Sequence, residues 1–170
     1  MNRRKFYSDG FTLVELLIVI VIIGVLAGIS VAAYSGVQKS ARDSTVQSDL
    51  SNAMKQLAMY EVENGAVPIT SADMRSMSIK PTKNAYITGR NNFYYCVNKE
   101  TGQYALGAVT KDNRRVLAKS SGGIQIGSVG ELVVDSMNVC QSIGLTGYDD
   151  TNAYTATGYS DSNGWSAWIK

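Results

Sequence analysis

Hydrophobic and polar positions divide the chain into three stretches, of which the first is apolar throughout. Residues 11–34 are almost entirely Val, Ile, Leu, Ala and Gly, and the nineteen residues 16–34 carry no charge. As a helix, this segment would reach about 36 Å, enough to cross a hydrocarbon core of about 30 Å. A helix on the surface of a soluble domain would have a polar face, and this segment has none. We therefore expect it to span a membrane.

The second stretch, residues 35–64, is amphipathic. Its apolar residues recur at the spacing of one helix face, at Val46, Leu50, Ala53, Leu57 and Tyr60. No proline interrupts residues 11–64, so the pattern predicts one continuous helix about 80 Å long. Gly65 suits a C-terminal cap, and Pro68 prevents the helix from continuing.

The third stretch, residues 66–170, is predicted to be rich in β-structure. Aromatic and β-branched residues favour a hairpin of residues 92–97 and 103–110, with two further strands at residues 116–118 and 124–126. Residues 131–141 fit either a short helix or a strand, and the composition from Gly144 onward predicts an irregular tail. A long helix packed on an antiparallel sheet makes the fold class α+β.

Charges at the start of the chain predict its orientation in the membrane. Arg3, Arg4 and Lys5 precede the apolar segment, and only Asp9 offsets them. By the positive-inside rule, the N-terminus stays in the cytoplasm and residue 35 onward is exported. A secretory signal peptide is the first alternative, but its apolar region should run about 7–15 residues and end at a cleavage box of small residues. This run is longer and continues into a helical pattern.

Glu15 is the single carboxylate inside the apolar segment. An ionisable group at such a position is costly and requires a partner. A plain single-span membrane anchor, the second alternative, fits the length of the segment but gives no reason for Glu15.

The residues around Glu15 carry a resemblance to a known family. Gly10, followed by Phe11-Thr12-Leu13-Val14-Glu15, resembles the N-terminal signature of type IV pilins and their relatives, and the short basic leader fits as well. The resemblance implies cleavage between Gly10 and Phe11, and methylation of the new Phe11 amine, by a membrane-embedded prepilin peptidase. It also implies four regions, which are a removed leader (1–10), a transmembrane or filament-core helix (11–34), its amphipathic continuation (35–65) and a β-rich head (66–170).

Cleavage would give Glu15 a counter-ion. The free Phe11 amine is positive, and a buried ion pair is tolerated where either charge alone is costly. Glu15 of one copy would therefore pair with the Phe11 amine of a neighbouring copy. Such a pair would fix the register between subunits, as a single buried polar residue does in a coiled coil.

Cys96 and Cys140 are the only cysteines of the chain. In an exported domain, an even number of cysteines indicates a disulfide. Closing a loop of about 45 residues would stabilise the fold by about 4 kcal/mol in the chain-entropy model. A disulfide also resembles the bonded C-terminal region of many pilins and is less typical of the major pseudopilins of type II secretion.

The residue types needed for several kinds of catalysis are absent. The chain has no histidine, so it cannot build a Ser-His-Asp or Cys-His nucleophile, and it has no phosphate-binding loop that ends in Lys-Ser or Lys-Thr. We expect a protein that is not an enzyme and needs no cofactor.

Acidic residues of the tail are weak candidates for a cation site. Asp149, Asp150, Asp161 and Asn163 fall short of an EF-hand loop, which needs more ligands and a closing Glu. Their alternative role is in turns, where such side chains bond to their own backbone. We therefore expect no metal, although some pseudopilins hold calcium in a C-terminal loop.

Nucleic-acid binding has one weak candidate site. From residue 35 onward, 13 Lys and Arg face 12 Asp and Glu, a balance that predicts no strong attraction to phosphates. The local basic cluster that remains consists of Lys111, Arg114, Arg115 and Lys119. It is either a solvated turn or a DNA contact.

By resemblance, the chain is predicted to be a structural subunit of a type IV pilus that serves adhesion, twitching motility or DNA uptake. Its partners would be copies of itself, minor pilins, the prepilin peptidase, an assembly ATPase and a platform protein. It would wait in the cytoplasmic membrane as a single-pass protein and then enter an extracellular pilus. The alternatives are a type II secretion pseudopilin and a membrane-anchored binding module that never polymerises and keeps Met1.

Overall fold

The computed structural model describes residues 10–77, 79–89, 91–127, 136–147, 149–161 and 164–169. The predicted leader therefore lies outside the described residues, apart from Gly10. The chain divides into two compact units between Gln38 and Lys39.

The first helix, α1, runs over Leu13–Asn64 and has 52 residues. It ends where the sequence predicts. Gly65 adopts a φ of +71°, which a residue without a Cβ adopts at little cost, and its amide donates to the carbonyl of Glu61. The prediction of one continuous helix is confirmed.

The second unit contains a six-stranded antiparallel sheet in the order β4-β3-β2-β1-β5-β6. Its strands are β1 (Phe93–Asn98), β2 (Tyr104–Val109), β3 (Arg115–Lys119), β4 (Ile124–Gly127), β5 (Ala153–Asp161) and β6 (Gly164–Ile169). The first four occupy the positions predicted for them, and α1 together with this sheet confirms the α+β class.

The apolar stripe of α1 packs on one face of the sheet. Val46, Leu50, Ala53 and Leu57 are at most 1% exposed, whereas Tyr60, at the end of the predicted stripe, is only half-buried. The sheet contributes the inward residues of four strands, which are Phe93, Tyr95, Val97, Tyr104, Leu106, Ala108, Val116, Ala118, Tyr154 and Ala156. Burial of this surface is the main force that holds α1 to the sheet.

A short helix, α3 (Ser136–Gln141), covers the opposite face. Cys140 of α3 and Cys96 of β1 form a disulfide with their Cα atoms 5.3 Å apart, as predicted from the even cysteine count. Val139, Ile143 and Leu145 complete a small apolar cluster there. The segment left open in the sequence is thus helical over residues 136–141, while residues 131–135 lie outside the described part.

Two short elements join α1 to β1. The helix α2 (Ser71–Ser76) begins at a capping box of Thr70 and Asp73, and a turn of 3-10 helix covers Lys83–Ala85. Asp49 of α1 ties this connection down, because its carboxylate accepts from the Thr82 amide at 2.6 Å and from the Tyr86 hydroxyl at 2.9 Å.

The prediction of an irregular tail is wrong. β5 pairs with β1 along the whole of that strand, from Phe93 with Gly158 to Asn98 with Ala153, and β6 extends the sheet beyond it. The segment is rich in residue types that form turns. It is nevertheless a strand, because its backbone hydrogen-bonds to β1, and local composition does not reveal this long-range pairing.

Candidate functional site

The first half of α1 is exposed among the described residues. Its large apolar side chains, from Leu13 to Val37, are between 49% and 86% exposed, and Phe11 just before the helix is 89% exposed. Among the described residues, one helix, α1, is long enough and apolar enough to cross a membrane, as judged by length and composition alone. An apolar surface of this extent is stable only in lipid or against other apolar chains.

A capping box positions Glu15 at the start of α1. The Thr12 amide donates to Glu15 Oε2 at 2.8 Å, and the Thr12 hydroxyl donates to the same oxygen at 2.7 Å. In return, the Glu15 amide donates to Thr12 Oγ1 at 3.2 Å. These bonds satisfy amide groups that have no partner at a helix N-terminus.

The capping box leaves one carboxylate oxygen of Glu15 available. Both bonds from Thr12 go to Oε2, and no hydrogen bond to Oε1 is found among the described residues. Thr12 therefore fixes the carboxylate at the helix start while one oxygen remains able to accept from another molecule. This role of Thr12 was not predicted from the sequence, although Thr-x-x-Glu ahead of an apolar run is a known signal for a helix start.

Gly10 and Phe11, which flank the expected cleavage point, lie just before α1. Neither has regular secondary structure, and both are exposed. A peptidase needs an extended and accessible peptide, and a helix offers neither property. Gly10 and Phe11 are exposed and outside the helix, and Phe11 lies four residues before Glu15.

Ion pairs divide the basic cluster at the β2–β3 turn. Arg114 pairs with Asp43 of α1, and Asp112 pairs with Arg42 at 2.9 Å. Arg114 is thus committed to a carboxylate, while Lys111 remains exposed at the turn. Arg115 and Lys119 are the first and last residues of β3, and both are half-buried.

The candidate cation ligands do not converge in the described residues. Asp150 accepts from the amides of Asn152 and Thr146 and from the Thr146 hydroxyl, and these bonds hold its pKa below the usual value. Asp149 is exposed, Asp161 lies at the end of β5, and Asn163 lies outside the described part. Within that part, no group of three or more His, Cys, Asp or Glu side chains is placed to hold a metal ion.

The N-terminal part of the chain matches the motif of a known family. Residues 6–31 match the prokaryotic N-terminal methylation motif. The chain is 37% identical over 75 residues to the type IV wide pilus major component PilA4 of Thermus thermophilus, an alignment that covers 44% of this chain and 57% of that protein.

Other relatives are named for secretion. The chain is 33% identical over 84 residues to the type II secretion system core protein G of Pseudomonas aeruginosa, covering 49% of this chain and 58% of that protein. It is 38% identical over 82 residues to the core protein G of Dickeya chrysanthemi, covering 48% and 52%. The chain thus spans a little over half the length of these relatives. No solved structure matches it.

Proposed function

We propose that the chain is a type IV pilin-like protein and a structural subunit of a type IV pilus filament. The observation that supports the proposal is the exposed apolar first half of α1, together with the methylation motif at residues 6–31 and the exposed residues Gly10 and Phe11. The proposal gives the protein a role in assembly, with no catalytic activity and no cofactor.

Assembly starts in the cytoplasmic membrane, where the chain is a single-pass protein with its N-terminus in the cytoplasm. A prepilin peptidase cleaves between Gly10 and Phe11 and methylates the Phe11 amine. An assembly ATPase and a platform protein then move the subunit out of the membrane. Lipid is as apolar as a leucine side chain, so the apolar helices associate by packing and polar contacts, and the hydrophobic effect contributes little to this step.

Glu15 fixes the position of each incoming subunit. Its Oε2 atom is held by Thr12, and its Oε1 atom accepts from the Phe11 amine of a neighbouring copy. Away from water, this ion pair is tolerated, whereas one unpaired charge costs several kcal/mol. The assembled filament serves adhesion, twitching motility or DNA uptake.

A pseudopilin of type II secretion is the second candidate function. It is favoured by relatives that are named core protein G and are 33–38% identical to this chain. The two functions differ in the length and location of the fibre. A pilus subunit gives long fibres that shear from the cell surface, while loss of a pseudopilin stops secretion without loss of surface fibres.

Replacement of Glu15 tests the proposal. Glu15→Ala should leave cleavage normal and lower the yield of sheared fibres at least tenfold, because about 1.4 kcal/mol corresponds to a factor of ten and an unpaired buried charge costs more than that. Glu61→Ala is the matched control, because Glu61 is an exposed glutamate of the same helix. Glu15→Ala fibres at the wild-type yield would overturn the role of Glu15.

A further inference from the structure

A groove lies between the last turns of α1 and the end of α2. It has a volume of about 290 Å³ and is lined by Gln56, Met59, Tyr60, Glu63, Asn64, Ser76 and Met77. We infer that this groove receives the side chain of Lys111 from a neighbouring copy of the chain. The inference rests on the proposed filament, because it requires a second copy.

Two hydrogen-bond donors in the groove wall, the side chains of Asn64 and Ser76, are already engaged. The Asn64 amide donates to the Tyr60 carbonyl at 2.9 Å, and the Ser76 hydroxyl donates to the Asp73 carbonyl at 2.7 Å. Burial, followed by the nearby Asp73 carboxylate, raises the pKa of Tyr60 and so keeps its hydroxyl neutral. A ligand that brings only acceptors would find few donors here.

Acceptors, in contrast, are left without partners. Gln56 Oε1 is buried and makes no hydrogen bond within the part of the chain that the structure describes. The Glu63 carboxylate lines the same groove and forms no ion pair among the described residues. A buried acceptor without a partner costs about 1–3 kcal/mol, so a donor that reaches Gln56 would stabilise the site.

The end of α1 also favours a positive charge. Its last turn contains no basic residue, although a helix C-terminus carries a partial negative charge. Met59 and Met77 give the groove apolar walls. An ammonium group on a flexible aliphatic stem suits this combination, because the stem packs on the thioethers while the charge meets the carboxylate.

Lys111 fits the groove for two reasons. It is exposed and unpaired among the described residues, unlike its neighbours Asp112 and Arg114. Those neighbours also fasten the β2–β3 turn to α1, so Lys111 stands on a fixed support. Because the backbone of the turn is already fixed, docking of Lys111 costs conformational entropy only in its side chain.

The groove that receives Lys111 belongs to another copy. The β2–β3 turn is held at Arg42 and Asp43, and the groove lies at residues 56–64 of the same helix. These positions are roughly 20–30 Å apart along α1 at 1.5 Å per residue, which is beyond the reach of one lysine. Parallel copies offset by that distance would bring turn and groove to the same level.

Apolar surface beside the groove supports a protein occupant. Met59 is 60% exposed and Val62 is 85% exposed, and both line an adjacent surface depression with Glu63. A neighbouring copy that inserts Lys111 would also cover these side chains. A small free amine, the alternative occupant of the groove, would leave the Val62 side chain exposed to water.

Charge reversal in assembling cells tests the inference. Glu63→Lys and Lys111→Glu should each lower the yield of sheared fibres about tenfold, and the double variant should restore most of it, because the reversed charges attract again. Glu61→Lys and Lys99→Glu are matched controls at exposed positions outside the groove and should keep the wild-type yield.

The result has a clear reading in each case. The inference would be overturned if wild-type cells make fibres and either single variant gives the wild-type yield, or if the double variant yields no more fibres than the single variants. Neither outcome would contradict the proposed role as a pilus subunit. Absence of fibres from wild-type cells would instead count against the proposed function. As a second measurement, Glu63→Cys combined with Lys111→Cys should give a ladder of cross-linked subunits in fibres, and the two single cysteine variants should not.

Discussion

Asp43 of α1 forms an ion pair with Arg114 of the β2–β3 turn, 71 residues further along the chain. Asp43 is only 5% exposed, and its Oδ1 atom has no hydrogen-bond partner among the residues that the structure describes. The preceding residue, Arg42, pairs with Asp112 of the same turn. Arg42 and Asp43 are consecutive and oppositely charged, and each forms an ion pair with a residue of opposite charge in the β2–β3 turn. The two ion pairs fix the turn to α1.

Loss of Arg114 should destabilise the fold. Arg114→Met leaves a buried carboxylate without its counter-ion, which we expect to lower the free energy of unfolding by about 2 kcal/mol, a discounted value because the Arg114 side chain is partly exposed. Urea unfolding of the full chain in detergent, followed by circular dichroism, measures the change. Arg42→Met is the control and should cost less than about 1 kcal/mol, because both members of that pair are partly exposed.

A double variant separates the ion pair from general damage to the turn. Asp43→Leu with Arg114→Met removes both charges and should recover stability relative to Arg114→Met alone, since no buried charge remains unpaired. Equal losses in the single and double variants would show that the ion pair is not the cause.

The disulfide should contribute most of the stability of the α3 side of the sheet. Cys96→Ala with Cys140→Ala opens a link between residues 44 apart, which we expect to lower the free energy of unfolding by about 4 kcal/mol in the chain-entropy model. Denaturant titrations of the oxidised, reduced and alanine forms measure this. Indistinguishable midpoints for all three forms would contradict the prediction.

Local patterns predicted the elements whose signals lie close together in the sequence. The stripe from Val46 to Leu57 repeats at helical spacing because one helix face contacts the sheet, and Gly65 marks the end of α1 through its own backbone conformation. The capping role of Thr12 could also have been predicted from the sequence, because its hydrogen bonds join residues only three positions apart.

Contacts between distant residues could not be predicted in this way. Strand β5 is built from residue types that also favour turns, and its place in the sheet depends on pairing with β1 about 60 residues earlier. The ion pair of Asp43 and Arg114 is a similar case, since charge alone did not distinguish Arg114 from the exposed Lys111. Tertiary context decides both outcomes.

The buried tyrosines should make the fold sensitive to alkali. Burial raises the pKa of Tyr86, and the adjacent Asp49 carboxylate raises it further; burial also raises the pKa of Tyr95. A group whose pKa is raised by folding adds stability below its unfolded value, about 10 for tyrosine, and loses that contribution as the pH rises. Stability should therefore fall progressively above about pH 10.

Ultraviolet titration of tyrosinate and unfolding curves at several pH values measure this effect. Tyr86→Phe with Tyr95→Phe should flatten the loss of stability in alkali, although it will lower stability at neutral pH because both hydroxyl groups donate hydrogen bonds. Ionisation of all tyrosines at the ordinary pKa in the folded protein would contradict the assignment.

The N-terminal residue of the protein in sheared surface fibres tests the central claim most directly. Mass spectrometry of the main fibre protein should find methylated Phe11 at the N-terminus, because cleavage after Gly10 creates the amine that Glu15 requires as its counter-ion. Isolation of the protein only as single molecules that still begin at Met1 would contradict the account.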